Sequence, residues 1–162
     1  LALAVGDALA VALLEEKGFR REDFAKFHPG GSLGRKLLLR VRDVMIVDPL
    51  PLLTVETTMR EAIVVLAKQR GLGIVLDAGG QLAGVLTTGD LTRLMQRDDD
   101  VMAIRVGDVM TRRPTTIGAD ELASAAVHVM EQAGVIALPA LGADHRVEGV
   151  VHLHDLMRAG AA

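Results

Sequence analysis

The chain contains one internal repeat, in which corresponding positions lie 65 residues apart. The pairs that match at this spacing are Val44 with Val109, Met45 with Met110, Gly84 with Gly149, and Asp90 with Asp155. Between these positions the offset slips to 62 and 63 residues, so the loops differ in length while the pattern of elements persists. Two copies are too few for a solenoid. We therefore predict two similar units that pack face to face, each covering the apolar sheet of the other.

Each copy has the pattern of a β-β-α-β-β-α unit. In the first copy, Thr58 and Glu61 have the spacing of a capping box and begin a helix that we predict from Met59 to Arg70. A predicted hairpin and a short last helix follow. The residues assigned to the buried side of that last helix are Leu91, Leu94 and Met95. The predicted fold class is α/β (α+β), with a first unit at residues 41–100 and a second unit at 104–162.

The first 40 residues form a different, helical segment. Apolar residues from 1 to 14 predict a helix that is buried on most sides and ended by Gly18 in the left-handed conformation, with a further short helix at 21–27. The chain begins without methionine and inside this pattern, so we interpret it as the carboxyl-terminal part of a longer protein. In the second unit, the helix that corresponds to residues 59–70 is predicted from Leu122 to Ala133, with Asp120 as its cap.

Composition excludes several classes of function. The net charge is −3 and neither tyrosine nor tryptophan occurs, so nothing indicates binding to nucleic acid or to an anionic membrane. Cysteine is absent, which excludes disulfides, thiolate metal sites and cysteine nucleophiles. No apolar run approaches the roughly 20 residues of a membrane-spanning helix. We expect a cytoplasmic protein.

The corner that closes the first unit, Gly84–Asp90, is the predicted binding site and is called the first corner below. An apolar strand ends there at Thr87, and Asp90 follows at the start of a helix. The N–H groups of a helix start attract phosphate, a threonine hydroxyl hydrogen-bonds phosphate oxygens, and a carboxylate accepts from both ribose hydroxyls. The corner therefore predicts a site for a phosphorylated ribose. The simpler alternative is that both residues only cap the helix.

The second corner, Gly149–Asp155, has His152 where the first has Thr87, while the aspartate is kept as Asp155. Histidine donates to phosphate but is bulkier and titrates near neutrality, so the sequence leaves open whether a second cleft binds a ligand or is empty. His152 and His154 have no third ligand nearby in the sequence, so we predict no metal site.

Further candidate ligand contacts surround the first corner. Arg112 and Arg113 precede a strand of the second unit, where guanidinium groups suit phosphate or carboxylate, although a charged loop is an equal alternative. Arg93, one turn after Asp90, is a weaker candidate. Met45 and Met110 are assigned to the core, with a possible role in lining the base sites.

The repeated Asp-Val-Met entry, the helix and hairpin, and the closing Gly-apolar-apolar-Thr-x-x-Asp corner resemble the CBS domain, and two in tandem resemble a CBS pair. The resemblance covers residues 41–160. It implies a pseudo-two-fold pair with two clefts between the repeats. It also implies that the clefts bind nucleotides, with the threonine and aspartate of a corner contacting phosphate and ribose.

Residues 6–14 together with 28–37 resemble the end of the sugar isomerase domain of bacterial arabinose-5-phosphate isomerases, where such a tail leads into a CBS pair. The resemblance implies a parent enzyme that interconverts ribulose 5-phosphate and arabinose 5-phosphate on the way to the lipopolysaccharide sugar Kdo. His28 is the implied acid/base contributor. Because the sugar-phosphate loop is expected upstream, we do not expect these 162 residues to be active alone.

On this interpretation the pair needs no cofactor and binds a regulatory nucleotide or nucleotide sugar, with CMP-activated Kdo or an adenine nucleotide as the effector. It also self-associates into a dimer or tetramer. One alternative is a purely structural module that joins subunits and has vestigial clefts. Another is the CBS pair of a transporter or of a nucleotide dehydrogenase, against which the stretch 6–37 argues.

Overall fold

The computed structural model describes residues 2–18, 38–98 and 100–161. Helix α1 (Ala2–Glu16) precedes the two units, and a 3-10 turn (Val41–Asp43) leads into them. The first unit consists of β1 (Leu52–Thr54), α2 (Met59–Lys68), β2 (Leu72–Leu76), β3 (Leu82–Thr87) and α3 (Thr88–Met95). The second consists of α4 (Val106–Val109), β4 (Thr111–Arg112), β5 (Ile117–Gly118), α5 (Ala123–Ala133), β6 (Ala137–Leu141), β7 (Val147–His152) and α6 (Leu153–Ala159).

Local sequence signals account for most of these boundaries. The Glu61 carboxylate accepts from the N–H and the hydroxyl of Thr58 at 3.0 and 2.9 Å, which confirms the predicted capping box at the start of α2. Gly71 follows that helix at φ +79°, in the left-handed region that favours glycine. The hairpins β2–β3 and β6–β7 are antiparallel, as predicted.

The two sheets pack against each other through their apolar faces. Their strand orders are β1-β2-β3-β4 and β5-β6-β7. Leu72, Ile74 and Val85 of the first sheet form one buried cluster with Val150 of the second. Removing this apolar surface from water stabilises the pairing of the sheets. The predicted class, with two units that cover each other face to face, is therefore confirmed.

The units exchange their entry segments. Strand β4, which begins the second unit, hydrogen-bonds to β3 of the first sheet, where Thr111 lies opposite Val85. Reciprocally, Ile46 of the first unit pairs with Val150 in the second sheet through hydrogen bonds of 2.8 and 2.9 Å. These two pairs of positions are related by the repeat offset of 65 residues. The exchange therefore follows the pseudo-two-fold relation of the pair.

The hydrophobic cores follow this exchange. Val106 and Met110 belong to the core beneath the first sheet, whereas Val41 belongs to the core beneath the second. A Cβ added at Gly84 would lie 2.9 Å from the Met110 sulfur, and one added at Gly149 would lie 2.7 Å from the Met45 sulfur. Such contacts are too close for a side chain, so the repeated glycine in each corner strand makes room for the methionine that enters from the other unit.

Three expectations about helices are wrong. Helix α5 begins at Ala123 with Leu122 in the capping position, so Asp120 lies too far upstream to cap it and instead pairs with Arg42 at 2.7 Å. Met95 is exposed because it lies about 100° around the short α3 from the buried Leu94. Helix α1 exists and Gly18 has the expected positive φ of +59°, but residues 4–18 are exposed rather than buried.

Two further expectations concern the short helix at 21–27 and membrane-spanning helices. The short helix predicted at 21–27 lies outside the described residues. Among the helices that the structure describes, none combines the length and the hydropathy required to cross a bilayer.

Candidate functional site

A cleft of about 480 Å³, called the first cleft below, opens between the two units beside the first corner. The first unit contributes the corner residues 87–90, residues 70–72 between α2 and the start of β2, and Val85. The second unit contributes Thr111, residues 113–115, residues 134–137 and Pro139. The volume of the first cleft lies within the range typical of small-molecule sites. A ligand here would contact both units at once.

The first corner is held by a capping box at the start of α3. The Asp90 Oδ2 atom accepts the Thr87 N–H at 2.8 Å and the Thr87 hydroxyl at 2.7 Å. In return, the Thr87 hydroxyl oxygen accepts the Asp90 N–H at 3.2 Å. The capping alternative raised by the sequence is therefore realised, and the same two residues also line the first cleft.

The second oxygen of Asp90 is also engaged. Its Oδ1 atom accepts Arg93 Nη2 at 2.5 Å and the Thr111 hydroxyl at 3.3 Å, the latter from the second unit. Asp90 is only 8% exposed, and its two oxygens together accept four hydrogen bonds, about the full capacity of a carboxylate. A ligand hydroxyl that binds Asp90 must therefore displace one of these donors. Arg93 is the easier one to displace, since its side chain is 66% exposed.

Positive charge dominates the lining. Arg70, Arg93 and Arg113 line the first cleft, and Asp90 is the only carboxylate among the described residues that line it. Arg113 makes no hydrogen bond or ion pair with any described residue. Arg70 and Arg113 also have positive φ angles of 52° and 53°, which cost energy for residues other than glycine and concentrate at functional sites. The arrangement suits an anionic ligand.

Part of the lining is apolar and aliphatic. Val135, Ile136 and Pro139 of the second unit are called the aliphatic wall below, and both Val135 and Ile136 are exposed. Exposed aliphatic side chains gain from covering the flat face of a ring, because the contact removes apolar surface from water. The first cleft thus joins a charged corner to an apolar wall across the boundary of the units.

Other predicted contacts lie elsewhere. Arg112 does not line the first cleft, and its Nη2 donates to the carbonyl of Gly107 at 2.7 Å. Arg112 is the last residue of β4, and Arg113 follows it with a left-handed φ of +53°, so the two neighbouring side chains leave the chain in different directions. Met45 and Met110 also do not line it, because they pack against the glycines of the corner strands.

In the second corner, His152 and Asp155 do not line the first cleft. The Asp155 Oδ2 atom accepts Arg70 Nη1 at 2.6 Å, an ion pair between the two units. His152 is 8% exposed. Burial, helped by the nearby Arg70 charge and opposed by Asp155, lowers the pKa of His152 from its ordinary value.

Among the described residues no group of three or more metal-ligating side chains is found. His28, the implied catalytic residue, lies outside the described part of the chain. Sequence reasoning missed Arg70, Thr111 and the aliphatic wall at Val135 and Ile136. Only Gly71 and Gly134 mark these places in the sequence, because both end a helix just before a strand that borders the first cleft.

Comparison with known proteins gives a family and a set of relatives. The model of the CBS domain matches residues 41–97 and 106–162. Arabinose 5-phosphate isomerase KdsD of Pseudomonas aeruginosa is 47% identical over 98% of the chain, and KdsD of Escherichia coli K12 is 41% identical over 98%. These matches cover 49% and 48% of the two enzymes, so the chain spans about half their length.

Solved structures show the same fold. The CBS domain pair of protein MJ0100, in complex with 5′-methylthioadenosine and S-adenosyl-L-methionine, is 22% identical with a TM-score of 0.66, over 75% of this chain and 94% of that one. CBSX2 in complex with AMP is also 22% identical, with a TM-score of 0.63, over 75% of this chain and 95% of that one.

Proposed function

Because the chain belongs to the CBS domain family, we propose that its pair binds a regulatory nucleotide or nucleotide sugar in the first cleft. The observation that carries this proposal is a cleft between the units whose lining combines three arginines, a capping-box corner and an aliphatic wall. The complexes of MJ0100 and CBSX2 with adenine-containing ligands support the class of ligand.

The residues suggest how such a ligand binds. The guanidinium of Arg113, which has no partner among the described residues, attracts the phosphate, and the N–H groups at the start of α3 add partial positive charge. The ribose hydroxyls bind Asp90 after they displace Arg93, whose guanidinium is then released to a phosphate oxygen. The base covers Val135 and Ile136.

We propose that the parent protein is a cytoplasmic arabinose 5-phosphate isomerase in Kdo and lipopolysaccharide synthesis, with His28 contributing to acid/base catalysis. The identity to KdsD enzymes across nearly the whole chain supports this proposal. CMP-Kdo is the favoured effector because its phosphate and carboxylate suit an arginine-lined site that also offers an acceptor for ribose. An adenine nucleotide is the second candidate.

Regulation would act through the boundary between the units. A ligand in the first cleft contacts the corner of one unit together with Thr111 and residues 113–115 of the other, so it favours one relative position of the two. If the parent enzyme assembles into a homo-oligomer through its CBS pairs, that shift reaches the catalytic domains as a coupling free energy between sites.

Isothermal titration calorimetry with CMP-Kdo, CMP and AMP tests the proposal. We expect Arg113→Gln to weaken binding of the best ligand by about tenfold, the loss of one charge-assisted hydrogen bond. Arg112→Gln is the matched control, because it removes the same charge one residue earlier but outside the first cleft. No binding of any of the three ligands, or equal losses in both variants, would contradict the proposal.

A structural module remains the second candidate, favoured by the second corner, whose aspartate pairs with the protein's own Arg70. On that reading the pair only joins subunits. Thr87→Ala and Asp90→Ala separate the two functions when binding is measured beside the oligomeric mass from light scattering. Lost binding with unchanged mass favours regulation, whereas changed mass in a protein that never bound nucleotide favours assembly.

A further inference from the structure

Arg70 links the first cleft to the second corner. It lines the first cleft, where the first corner lies, while its Nη1 donates to Asp155 of the second corner at 2.6 Å. The two residues lie 85 positions apart in the sequence and in different units. A guanidinium that lines one ligand cleft is therefore held by the corner aspartate of the other repeat.

The backbone at Arg70 is fixed by the first corner. Arg70 at φ +52° and Gly71 at φ +79° form the left-handed end of α2. The Gly71 carbonyl accepts the Thr88 N–H at 3.0 Å, and a Cβ at Gly71 would lie 2.5 Å from the Thr88 hydroxyl oxygen. The start of the Arg70 side chain is thus tied to the first corner, and Asp155 fixes its far end.

Asp155 is available for this pairing because its own corner lacks a partner for it. In the first corner, the Thr87 N–H and hydroxyl both donate to the equivalent carboxylate. His152 has replaced that threonine, and helix α6 has no side-chain capping hydrogen bond. The second-corner carboxylate, 18% exposed as a side chain, accepts the Arg70 guanidinium instead.

The pairing leaves Arg70 able to bind a ligand. A guanidinium has five N–H donors in a rigid planar fork, and only one hydrogen bond from it, the one to Asp155, is found within the described chain. Its remaining donors are therefore free on a side chain that lines the first cleft. A side chain that is already held in place loses less conformational entropy when an anion binds it.

These contacts point to a role for Asp155 that rests on the proposed nucleotide function. We infer that Asp155 is a positioning residue of the first cleft, which holds Arg70 to bind an anionic group of the ligand. The acceptor that would bind a second ribose is thereby used within the protein. The pair accordingly takes one nucleotide for each chain rather than two.

The test is calorimetric titration of the full chain with CMP and with cytidine, or with AMP and adenosine if these bind more tightly. We expect one nucleotide per chain. Arg70→Gln should weaken nucleotide binding by about tenfold, and Asp155→Asn should cause a smaller loss in the same direction. The double variant should match Arg70→Gln alone, because Asp155 acts only through Arg70. Asp155→Glu, which keeps the charge, should recover part of the loss.

Binding of the uncharged nucleoside separates positioning from a loss of structure, since only a damaged fold would weaken nucleoside and nucleotide equally. Arg60→Gln removes a charge from the same helix α2, and Asp144→Asn removes one from the exposed β6–β7 turn. Both controls should bind as the unchanged protein does.

Several results would overturn the inference. They are unchanged or tighter nucleotide binding in Asp155→Asn, additive losses in the double variant, or two nucleotides per chain of which Asp155→Asn removes one. If these occur while Arg113→Gln still weakens binding, the proposed function stands and the positioning role falls. If the unchanged protein binds no nucleotide, both fall.

Discussion

The two corners of the pair have the same backbone plan but hold their aspartates differently. Asp90 is bound within its own unit by Thr87 and Arg93, together with one hydroxyl from Thr111. Asp155 is bound across the unit boundary by Arg70. The difference arises three residues before each aspartate, where a threonine that can cap the helix is replaced by a histidine that does not.

This comparison shows that a duplicated motif need not hold its side chains in the same way. In the first corner the threonine completes a helix cap whose polar groups also line a cleft. In the second corner the histidine is buried and the aspartate is engaged by an arginine from the other unit. One cleft is then assembled from side chains of both repeats.

The largest expected effect on stability concerns Met110 and Met45, which pack against the glycines of the corner strands of the other unit. Met110→Ala should lower the free energy of unfolding by about 3 kcal/mol, because a side chain that is only 7% exposed leaves a cavity. Met45→Ala should cost less, since Met45 is only partly buried. Urea denaturation of both variants measures the difference in the free energy of unfolding. Equal losses would show that the two methionines contribute equally to the packing of the two units.

A smaller loss is expected from the cap of the first corner. Thr87→Val keeps the shape but removes the hydroxyl that donates to Asp90 and accepts its N–H. The free energy of unfolding should fall by about 1 kcal/mol, typical of a lost N-terminal cap. Thermal or urea unfolding without ligand is the measurement. A loss near zero would mean that the Asp90 contacts with Arg93 and Thr111 suffice to hold the corner.

We expect His152 of the second corner to make the stability of the protein depend on pH. The pKa of His152 is lowered in the folded state from 6.5, so the unfolded chain takes up the proton first as the pH falls. The stability contributed by neutral His152 is fully present above pH 6.5 and is lost as the pH falls from there towards the folded pKa. Unfolding midpoints across this range should fall less in His152→Gln than in the unchanged protein.

His154→Gln is the matched control for that titration, because it removes an exposed histidine two residues away. Its midpoint should follow the pH as in the unchanged protein. An identical pH dependence in His152→Gln and the unchanged protein would contradict the assignment to His152.

The smallest effect on stability is expected from Arg93→Gln. Although Arg93 contacts the buried Asp90 at 2.5 Å, its own side chain is 66% exposed, and Asp90 keeps its hydrogen bonds from Thr87 and Thr111 in the variant. We therefore expect a loss below about 1 kcal/mol. Arg158→Gln, at the equivalent position of the second unit, is the control. Urea unfolding should find both variants close to the unchanged protein. A large loss in Arg93→Gln alone would show that the first corner depends on this arginine before any ligand binds.

Local patterns in the sequence were enough for much of the fold. The capping box at Thr58 and Glu61 and both hairpins depend on residues within a few positions of one another, where spacing limits geometry. The repeat, with its offset of 65 residues, is visible because the two copies share local patterns. The Asp120 cap failed for a related reason. Acidic residues occur at 120 and 121, and the sequence does not say at which residue the helix begins.

The site was less accessible to such reasoning. The first corner was found because it is contiguous. Arg113 was found together with its neighbour Arg112, but the sequence does not show that only Arg113 lines the first cleft. The ion pair of Arg70 with Asp155 joins residues 85 positions apart, and no local sequence pattern predicts it. Long-range contacts of this kind depend on how the sheets meet, which a single sequence does not display.

The exchange of entry segments between the units has a consequence for dissecting the molecule. A chain cut near residue 100 would yield a first piece without Val106, Met110 and strand β4, and a second piece without Val41. Each piece would have an incomplete core, and the first would also have an uncovered edge at β3. The smallest autonomous folding unit is therefore the whole pair, and fragment complementation, rather than study of isolated halves, suits this protein.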